Sequence, residues 1–414
     1  MKVLVLGGGV VGVTTAYYLS KDGHEVGLVE RHAGPAEETS FANAGLIAPG
    51  HAYAWSSPRA PKILLKSLFQ KDQALRFKLR PDPRLWAWSW LFLRQCNAAA
   101  ARINTLRKHR LCVYSQAALQ ALVAETGLRY DSQRGGLLYL YRTAESFARG
   151  TANMHILADD GQRMEVVDRD RAAAIEPALA PVKRKIAGAI YCPSDESGDA
   201  RIFTCGLAAL TAERGVSFHY ETTVRRIEAE GDRITRVVTD QGDLAADAYV
   251  LALGCQAPLL ARPLGLKLPI YPIKGYSVTL PVTEHDSPPT IGGVDEDNLV
   301  AYCRMGDRLR ITATAEFAGY DTSHKPSDYH AMLAAARDLF PDGGDYSEPS
   351  YWAGLRPMTP EGTPILGPAR QRNLYLNCGH GHMGWTMACG TARIVTDLIA
   401  GRPPDIDLDG MTLR

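Results

Sequence analysis

Val3-Leu4-Val5-Leu6-Gly7-Gly8-Gly9-Val10-Val11-Gly12 is the stretch on which the fold turns. Its four leading apolar residues read as a strand buried on both faces, and they stop at glycines spaced G-x-G-x-x-G. A helical pattern then passes through Ala16 and Leu19 and ends at Gly23, and a second apolar run over residues 26–29 ends in Glu30. Strand, turn, helix, strand and acid in that order predict a dinucleotide-binding unit. Gly7 permits the tight turn, Gly9 lets the backbone at Val10 and Val11 approach a pyrophosphate, and Gly12 lets helix and strand pack closely. The helix N-terminus turns about half a positive charge toward the phosphates. Glu30, with Arg31 beside it, lies 18 residues after Gly12, where a carboxylate accepts hydrogen bonds from ribose hydroxyls and disfavours the 2′-phosphate of NADP.

No clean third strand follows. Thr39-Ser40-Phe41-Ala42-Asn43-Ala44-Gly45-Leu46 is too polar and glycine-rich for a regular helix, and it is expected to run along a flavin, with Ser40, Asn43, Ala44, Gly45 and Leu46 as contacts. This segment, after a dinucleotide turn at the very start of the sequence, favours FAD over NAD.

At 414 residues the chain suits two intimately built domains. Helical periodicity is expected over 58–69 and 83–122, with no strand before about Gly136. Strands are expected at 137–141 and 187–191, a helix from Gly198-Asp199 to Arg214, and strands at 216–220 and 222–227 that restore βαβ character. A buried strand over 248–254 ends in Leu253-Gly254, so Gly254 falls at a cofactor-facing strand end. Short β runs at 275–280, 299–303 and 309–314 are followed by a helix at 329–340, a strand at 374–377 and a helix over 385–400. The resulting fold class is α/β: an FAD-binding Rossmann-like domain in discontinuous segments (1–57, 192–266 and 346–414), plus a substrate-binding domain (58–191 and 267–345) with an antiparallel or mixed sheet and helices.

A formal net charge of +1 gives no global reason to expect nucleic acid as a partner. The eight cysteines are scattered, without a C-x-x-C pair, and read as reduced thiols in a cytoplasmic protein. His380 and His382 alternate with glycines, but no carboxylate or cysteine cluster accompanies them, and no metal is expected. Met1 and Lys2 run straight into the first strand, which leaves no leader pattern, and no apolar run approaches the roughly 20 residues of a membrane span. Trp86-Ala87-Trp88-Ser89-Trp90-Leu91-Phe92 reads first as core, with contact to a membrane surface or partner subunit as the alternative. Lys62, Lys66 and Lys71 around Leu64, Leu65, Leu68 and Phe69 support that alternative, which would place the protein at the inner face of the cell membrane.

From Gly379-His380-Gly381-His382-Met383-Gly384-Trp385 to Gly390 the chain resembles the FAD-dependent D-amino acid dehydrogenases, within the glycine oxidase and D-amino acid oxidase superfamily. Ser40 to Gly45, Pro272-Ile273-Lys274-Gly275-Tyr276-Ser277, Thr314 to Asp321 and Gly354-Leu355-Arg356-Pro357-Met358-Thr359-Pro360 agree, so the resemblance covers nearly the whole chain. It implies oxidative deamination of D-amino acids, with hydride passing from the α-carbon to the flavin and water releasing a 2-oxo acid and ammonia. It also implies a quinone or other respiratory acceptor for the electrons. An oxygen-using oxidase and a D-proline or D-hydroxyproline dehydrogenase stay open as alternatives. A purely assembly or tRNA-modifying role is disfavoured, since there is no fused methyltransferase and no basic tail.

An amino acid must be held by its carboxylate before its α-hydrogen can be aimed, and a buried arginine does this bidentately. Arg356 aligns with the arginine that holds the carboxylate in the resembled families. Tyr276 is either a second carboxylate ligand or a core residue. His51 and Tyr53 are expected near the substrate amine, where relatives read Pro-Gly-Tyr in place of Pro49-Gly50-His51. His51 is a candidate base for the amine proton, and loss to solvent before binding is the alternative. Gly379, His380, Gly381, His382, Met383 and Gly384 are expected to bring backbone amides and a helix N-terminus to the flavin pyrimidine edge. Val224 is expected by the adenine.

Overall fold

The structure of the protein, a computed structural model, describes residues 1–67, 75–77 and 81–413. Two sheets organise it. The first is six-stranded, in the order Ile365–Pro368, Leu374–Cys378, Ala248–Leu251, Lys2–Leu6, Glu25–Val29 and Ser217–His219. All neighbours run parallel except the antiparallel edge strand Ile365–Pro368. Alternation along Lys2–Leu6 explains why the opening run is apolar throughout. Val3 and Val5 join one core cluster, shared with the helices Val10–Lys21, Ala98–Thr126, Ala200–Glu213 and Gly384–Ile399, whereas Leu4 and Leu6 join another on the opposite face.

That opposite face is covered by an antiparallel meander, Val224–Glu230, Arg233–Thr239 and Gly242–Leu244, and here the structure corrects the sequence expectation. Only Ser217–His219 enters the parallel sheet. From Val224 the strands bury one face, through Ile227, Ile234 and Val237, and leave most of their other residues exposed or half-buried, so they form a cover over the sheet rather than another parallel strand.

The second sheet is nine-stranded and mostly antiparallel, running from Ser350–Met358 through Tyr271–Pro281, Arg308–Phe317, Val300–Met305, Gly292–Asp295, Leu137–Tyr141 and Gly188–Cys192 to Glu165–Asp168. The short strand Leu75–Phe77 adds to Arg308–Phe317 in a region expected to hold none; three residues are too few for a period to register. The expected helix over 83–122 is two helices, Pro83–Gln95 and Ala98–Thr126, because Asn97 caps the second through its side chain on the Ala100 amide (2.9 Å). The helix expected over 58–69 appears as Ala60–Ser67; Leu68, Phe69, Lys71 and the side chain of Lys66 lie outside the described residues. Two elements sit across the expected domain division. The helix Ala98–Thr126, within 58–191, packs into the core of the parallel sheet, and the strand Ser350–Met358, within 346–414, pairs with Tyr271–Pro281.

Pro83–Gln95 resolves the tryptophan run by helical geometry. Leu85, Trp88 and Phe92 turn inward, with Trp88 Nε1 donating to the Met358 carbonyl at 2.9 Å, while Trp86, Trp90, Leu91 and Leu93 stay exposed. Among the described residues no helix is long and apolar enough to cross a membrane.

Candidate active site

A cavity of about 1170 Å³ lies between the two sheets, above the roughly 300–1,000 Å³ of ordinary ligand pockets. Of the residues singled out from the sequence, all but Gly12 and Gly379 border it. Gly12 lies behind the turn, where an added Cβ would come within 1.8 Å of the Gly7 carbonyl oxygen. Gly7 itself has φ +112°, which glycine alone adopts without strain. The Glu30 carboxylate accepts hydrogen bonds from the amides of Gly8 (2.8 Å) and His32 (2.9 Å), and is fixed at the strand end. Ser40 Oγ accepts from the Val10 amide at 3.1 Å, which ties the 39–46 segment to the helix N-terminus. Asn43 Oδ1 accepts from the Gly45 amide at 2.9 Å and sets the turn that follows.

At the far side, His380 turns its ring back toward the closing helix, with Nε2 3.1 Å from Thr391 Oγ1, and burial pushes its pKa down to about 3. His382 stacks on Trp55 at 4.7 Å between ring centres and is held well below the ordinary histidine range, first by burial and then by Lys108, His51 and Arg356. Both rings are neutral. Three buried polar atoms in residues that border the cavity have no hydrogen-bond partner among the described residues, Ser277 Oγ, Asn377 Oδ1 and His382 Nε2. Asn377 was not legible in the sequence; its amide nitrogen donates to Thr15 Oγ1 at 3.0 Å at the end of Leu374–Cys378.

On the substrate side, Arg356 crosses over Gly275, whose added Cβ would lie 2.4 Å from the guanidinium carbon. Arg356 Nη1 donates to the Thr314 carbonyl (2.9 Å) and more weakly to that of Lys274 (3.4 Å). It forms no ion pair among the described residues. Burial pushes its pKa down to about 10, which leaves it charged at neutral pH. Tyr276 points the other way. Successive strand residues face opposite sides, and the Tyr276 hydroxyl donates to Glu316 Oε2 at 2.6 Å within a cluster containing Tyr329 and Met332. Its hydroxyl is thus taken up by Glu316 within this cluster, although the residue also borders the cavity.

His51 borders the cavity with Nε2 2.7 Å from Glu296 Oε1. Its ring stacks on Tyr139 (4.9 Å, 14°) and meets Tyr53 edge-on (5.9 Å, 90°). The Tyr53 hydroxyl, largely buried, is pushed well above its ordinary pKa and stays neutral. Sequence reading missed Glu296, Tyr139 and two residues of the helix Ala98–Thr126. Lys108, fully buried, donates to the Tyr53 carbonyl at 2.8 Å, and Thr105 Oγ1 accepts from the Ala54 amide at 3.0 Å. Those two bonds, one helical turn apart, clamp the backbone that carries Tyr53 and Trp55 along the cavity wall.

The glycine turn at a helix N-terminus, the carboxylate at the strand end, the cavity size and the orphaned Asn377 and His382 atoms fit a dinucleotide. A family model described as FAD dependent oxidoreductase, DAO, matches residues 2–398. The chain belongs to the DAO family of FAD dependent oxidoreductases. It is similar to D-amino acid dehydrogenase 2 of Mesorhizobium japonicum, 50% identical over 412 residues that cover 99% of each chain. It is also similar to a D-amino acid dehydrogenase of Paramagnetospirillum magneticum, 48% identical and covering 99% of this chain and 98% of that one. Among solved structures, glycine oxidase from Geobacillus kaustophilus superposes with a TM-score of 0.77 at 25% identity, covering 100% of this chain and 98% of that one. L-proline dehydrogenase from P. horikoshii, at 19% identity and a TM-score of 0.75 over 100% and 96% of the two chains, shares the fold. This DAO-family enzyme is thus an α/β FAD-dependent oxidoreductase.

Proposed function

We propose that this enzyme oxidatively deaminates D-amino acids to 2-oxo acids and ammonia, and that the electrons leave to a respiratory quinone. The observation that carries the substrate reading is the Arg356 guanidinium, buried at the cavity wall with Nε and Nη2 making no hydrogen bond to any described residue. A planar cation with spare donors matches an amino acid carboxylate, at about 1.5–3 kcal/mol for each charge-assisted bond. Close relatives named D-amino acid dehydrogenase support the D configuration.

FAD, when bound, supplies the two-electron oxidant. The residues that would hold it are the 7–12 turn, Glu30, the 39–46 segment and the 379–384 turn. Arg356 fixes the substrate carboxylate, and the walls formed by Trp55, Trp352 and Phe92 exclude bulk water from the α-carbon.

The acceptor reading rests on a different surface. Ile63, Leu65, Trp86, Trp90, Leu91 and Leu93 are exposed on the two helices Ala60–Ser67 and Pro83–Gln95, from which Ile63, Leu64, Trp88 and Phe92 also border the cavity. An apolar face of this kind suits peripheral contact with the inner side of a membrane, where a quinone is dissolved.

The test is the visible spectrum of the purified enzyme during anaerobic addition of a panel of D- and L-amino acids. Bleaching by D-amino acids alone is expected; bleaching by L-amino acids, or by none, overturns the substrate reading. Stopped-flow reoxidation that is faster with air than with a quinone overturns the acceptor reading and marks an oxidase.

A further inference from the structure

His51 is held on three sides, by Glu296, Tyr139 and Tyr53, groups that are not obvious from its place in the sequence. Its Nε2 meets Glu296 Oε1 at 2.7 Å. One ring face lies on Tyr139, whose hydroxyl donates to Asp195 Oδ2 at 2.7 Å. Asp195 Oδ1 in turn accepts from the amide of Gly50, at 3.1 Å, so the same carboxylate anchors the backbone next to His51 and the ring beneath it. Tyr53 closes the edge. Nδ1 makes no hydrogen bond to any described residue, and the side chain keeps 32% of its surface open beside the cavity.

We propose that Glu296 is the positioning residue that makes His51 the base for the substrate amine. The proposal rests on the D-amino acid reading above. A carboxylate accepting from one ring nitrogen keeps the proton there in the neutral imidazole, so Nδ1 presents its lone pair to the cavity. The substrate arrives as an ammonium and must become an amine before its lone pair can assist loss of the α-hydrogen. In the step assigned to His51, one ammonium N–H bond breaks and its electron pair stays on nitrogen, while the proton forms an Nδ1–H bond. The resulting imidazolium is stabilised by the adjacent Glu296 carboxylate. A carboxylate behind an imidazole does the same work in hydrolytic triads.

The charged and titratable groups that face the ring are Glu296, Asp195, Lys108, His382, Tyr53 and Tyr139. Burial disfavours the imidazolium and Lys108 opposes it, but Glu296, by charge and by hydrogen bond, outweighs them with help from Asp195, and the His51 pKa is raised above its ordinary value. A base with a raised pKa is free to accept only at pH above that pKa. Glu296→Gln keeps an acceptor atom and removes the charge, so it lowers the pKa of the base and moves the rise of activity toward acid.

The experiment pairs two measurements on the FAD-loaded enzyme. Nitrogen-15 NMR of histidine-labelled protein, with His51 assigned by its loss in His51→Gln, is expected to show the Nε2–H tautomer in the neutral form, and a titration that moves to lower pH in Glu296→Gln. The kcat profile with D-alanine is expected to have an ascending limb that moves in the same direction in Glu296→Gln. In His51→Gln that limb disappears, with kcat reduced roughly a hundredfold or more. An Nδ1–H tautomer in the wild type overturns the proposal without need of any variant. So does a kcat limb that stays in place while the NMR titration moves. If D-amino acids fail to bleach the wild-type enzyme at all, the substrate reading fails and takes the proposal with it; normal bleaching with an unmoved limb defeats the proposal alone.

Discussion

The Arg356 guanidinium lies directly over the α-carbon of Gly275, so close that a methyl group on Gly275 would sit 2.4 Å from Cζ and from Nη2. Gly275 pairs with Gly354 across the two strands, and the two missing side chains make room for different neighbours, the Arg356 guanidinium over Gly275 and the Trp352 ring over Gly354. Arg356 lies across this strand at the cavity wall because Gly275 has no side chain beneath it.

Gly275→Ala should therefore displace Arg356 without unfolding the sheet. The expected result is a KM for D-amino acids raised by about 10- to 100-fold, the loss of one to two charge-assisted bonds, with FAD retained. Steady-state kinetics and the flavin absorbance after gel filtration check it. An unchanged KM would mean that the guanidinium is not used where it stands.

Arg356→Ala should raise KM by two orders of magnitude or more, and Arg356→Lys should recover little of it. A point-charge ammonium cannot reproduce the planar fork, and a buried lysine has its own pKa lowered by desolvation. The binding of a simple carboxylate inhibitor, followed through the flavin spectrum, separates lost binding from lost chemistry.

The two faces of Pro83–Gln95 should respond differently to the same substitution. Trp88→Ala removes a buried ring and the donor to Met358, and is expected to cost about 3–5 kcal/mol in chemical denaturation. Trp90→Ala, at a position 65% exposed, is expected to change stability by no more than about 0.5 kcal/mol. The same variant should weaken sedimentation with lipid vesicles; equal sedimentation of Trp90→Ala and wild type would count against membrane contact.

Lys108 gives a stability signature in pH. Burial pushes its ammonium from the ordinary 10.5 down to about 8, so between those values the folded protein binds fewer protons than the unfolded chain. Stability from this group therefore rises with pH across that window. Lys108→Met should abolish the rise, read as the difference between variant and wild type in denaturant midpoint at neutral pH and at about pH 9.5. A constant difference across the window would show that the lysine does not titrate there.

Much of the parallel sheet was legible in the sequence because its signals are local. A buried parallel strand is apolar at every position, and the glycines that follow are fixed by backbone contacts within ten residues of one another, such as Gly12 against the Gly7 carbonyl. The 379–384 turn and Arg356 stand in recognisable motifs, and residues 380–384 and Arg356 border the cavity. The meander over 224–244 and the strand Leu75–Phe77 were not legible, since one is defined by the sheet that it covers and the other by the strand that it joins.

The sequence by itself determined that a dinucleotide turn opens the chain, that apolar strands follow it, and that an arginine stands in a Gly-Leu-Arg-Pro context. The tertiary structure alone decided which way each side chain faces. Tyr276 and Gly275 are neighbours in the chain, yet strand alternation sends one side chain to Glu316 in the core and leaves the other's place to Arg356. His51 and Glu296 are 245 residues apart, yet the fold sets His51 Nε2 2.7 Å from Glu296 Oε1. Periodicity reports burial along one element; it carries no information about which distant element will lie opposite.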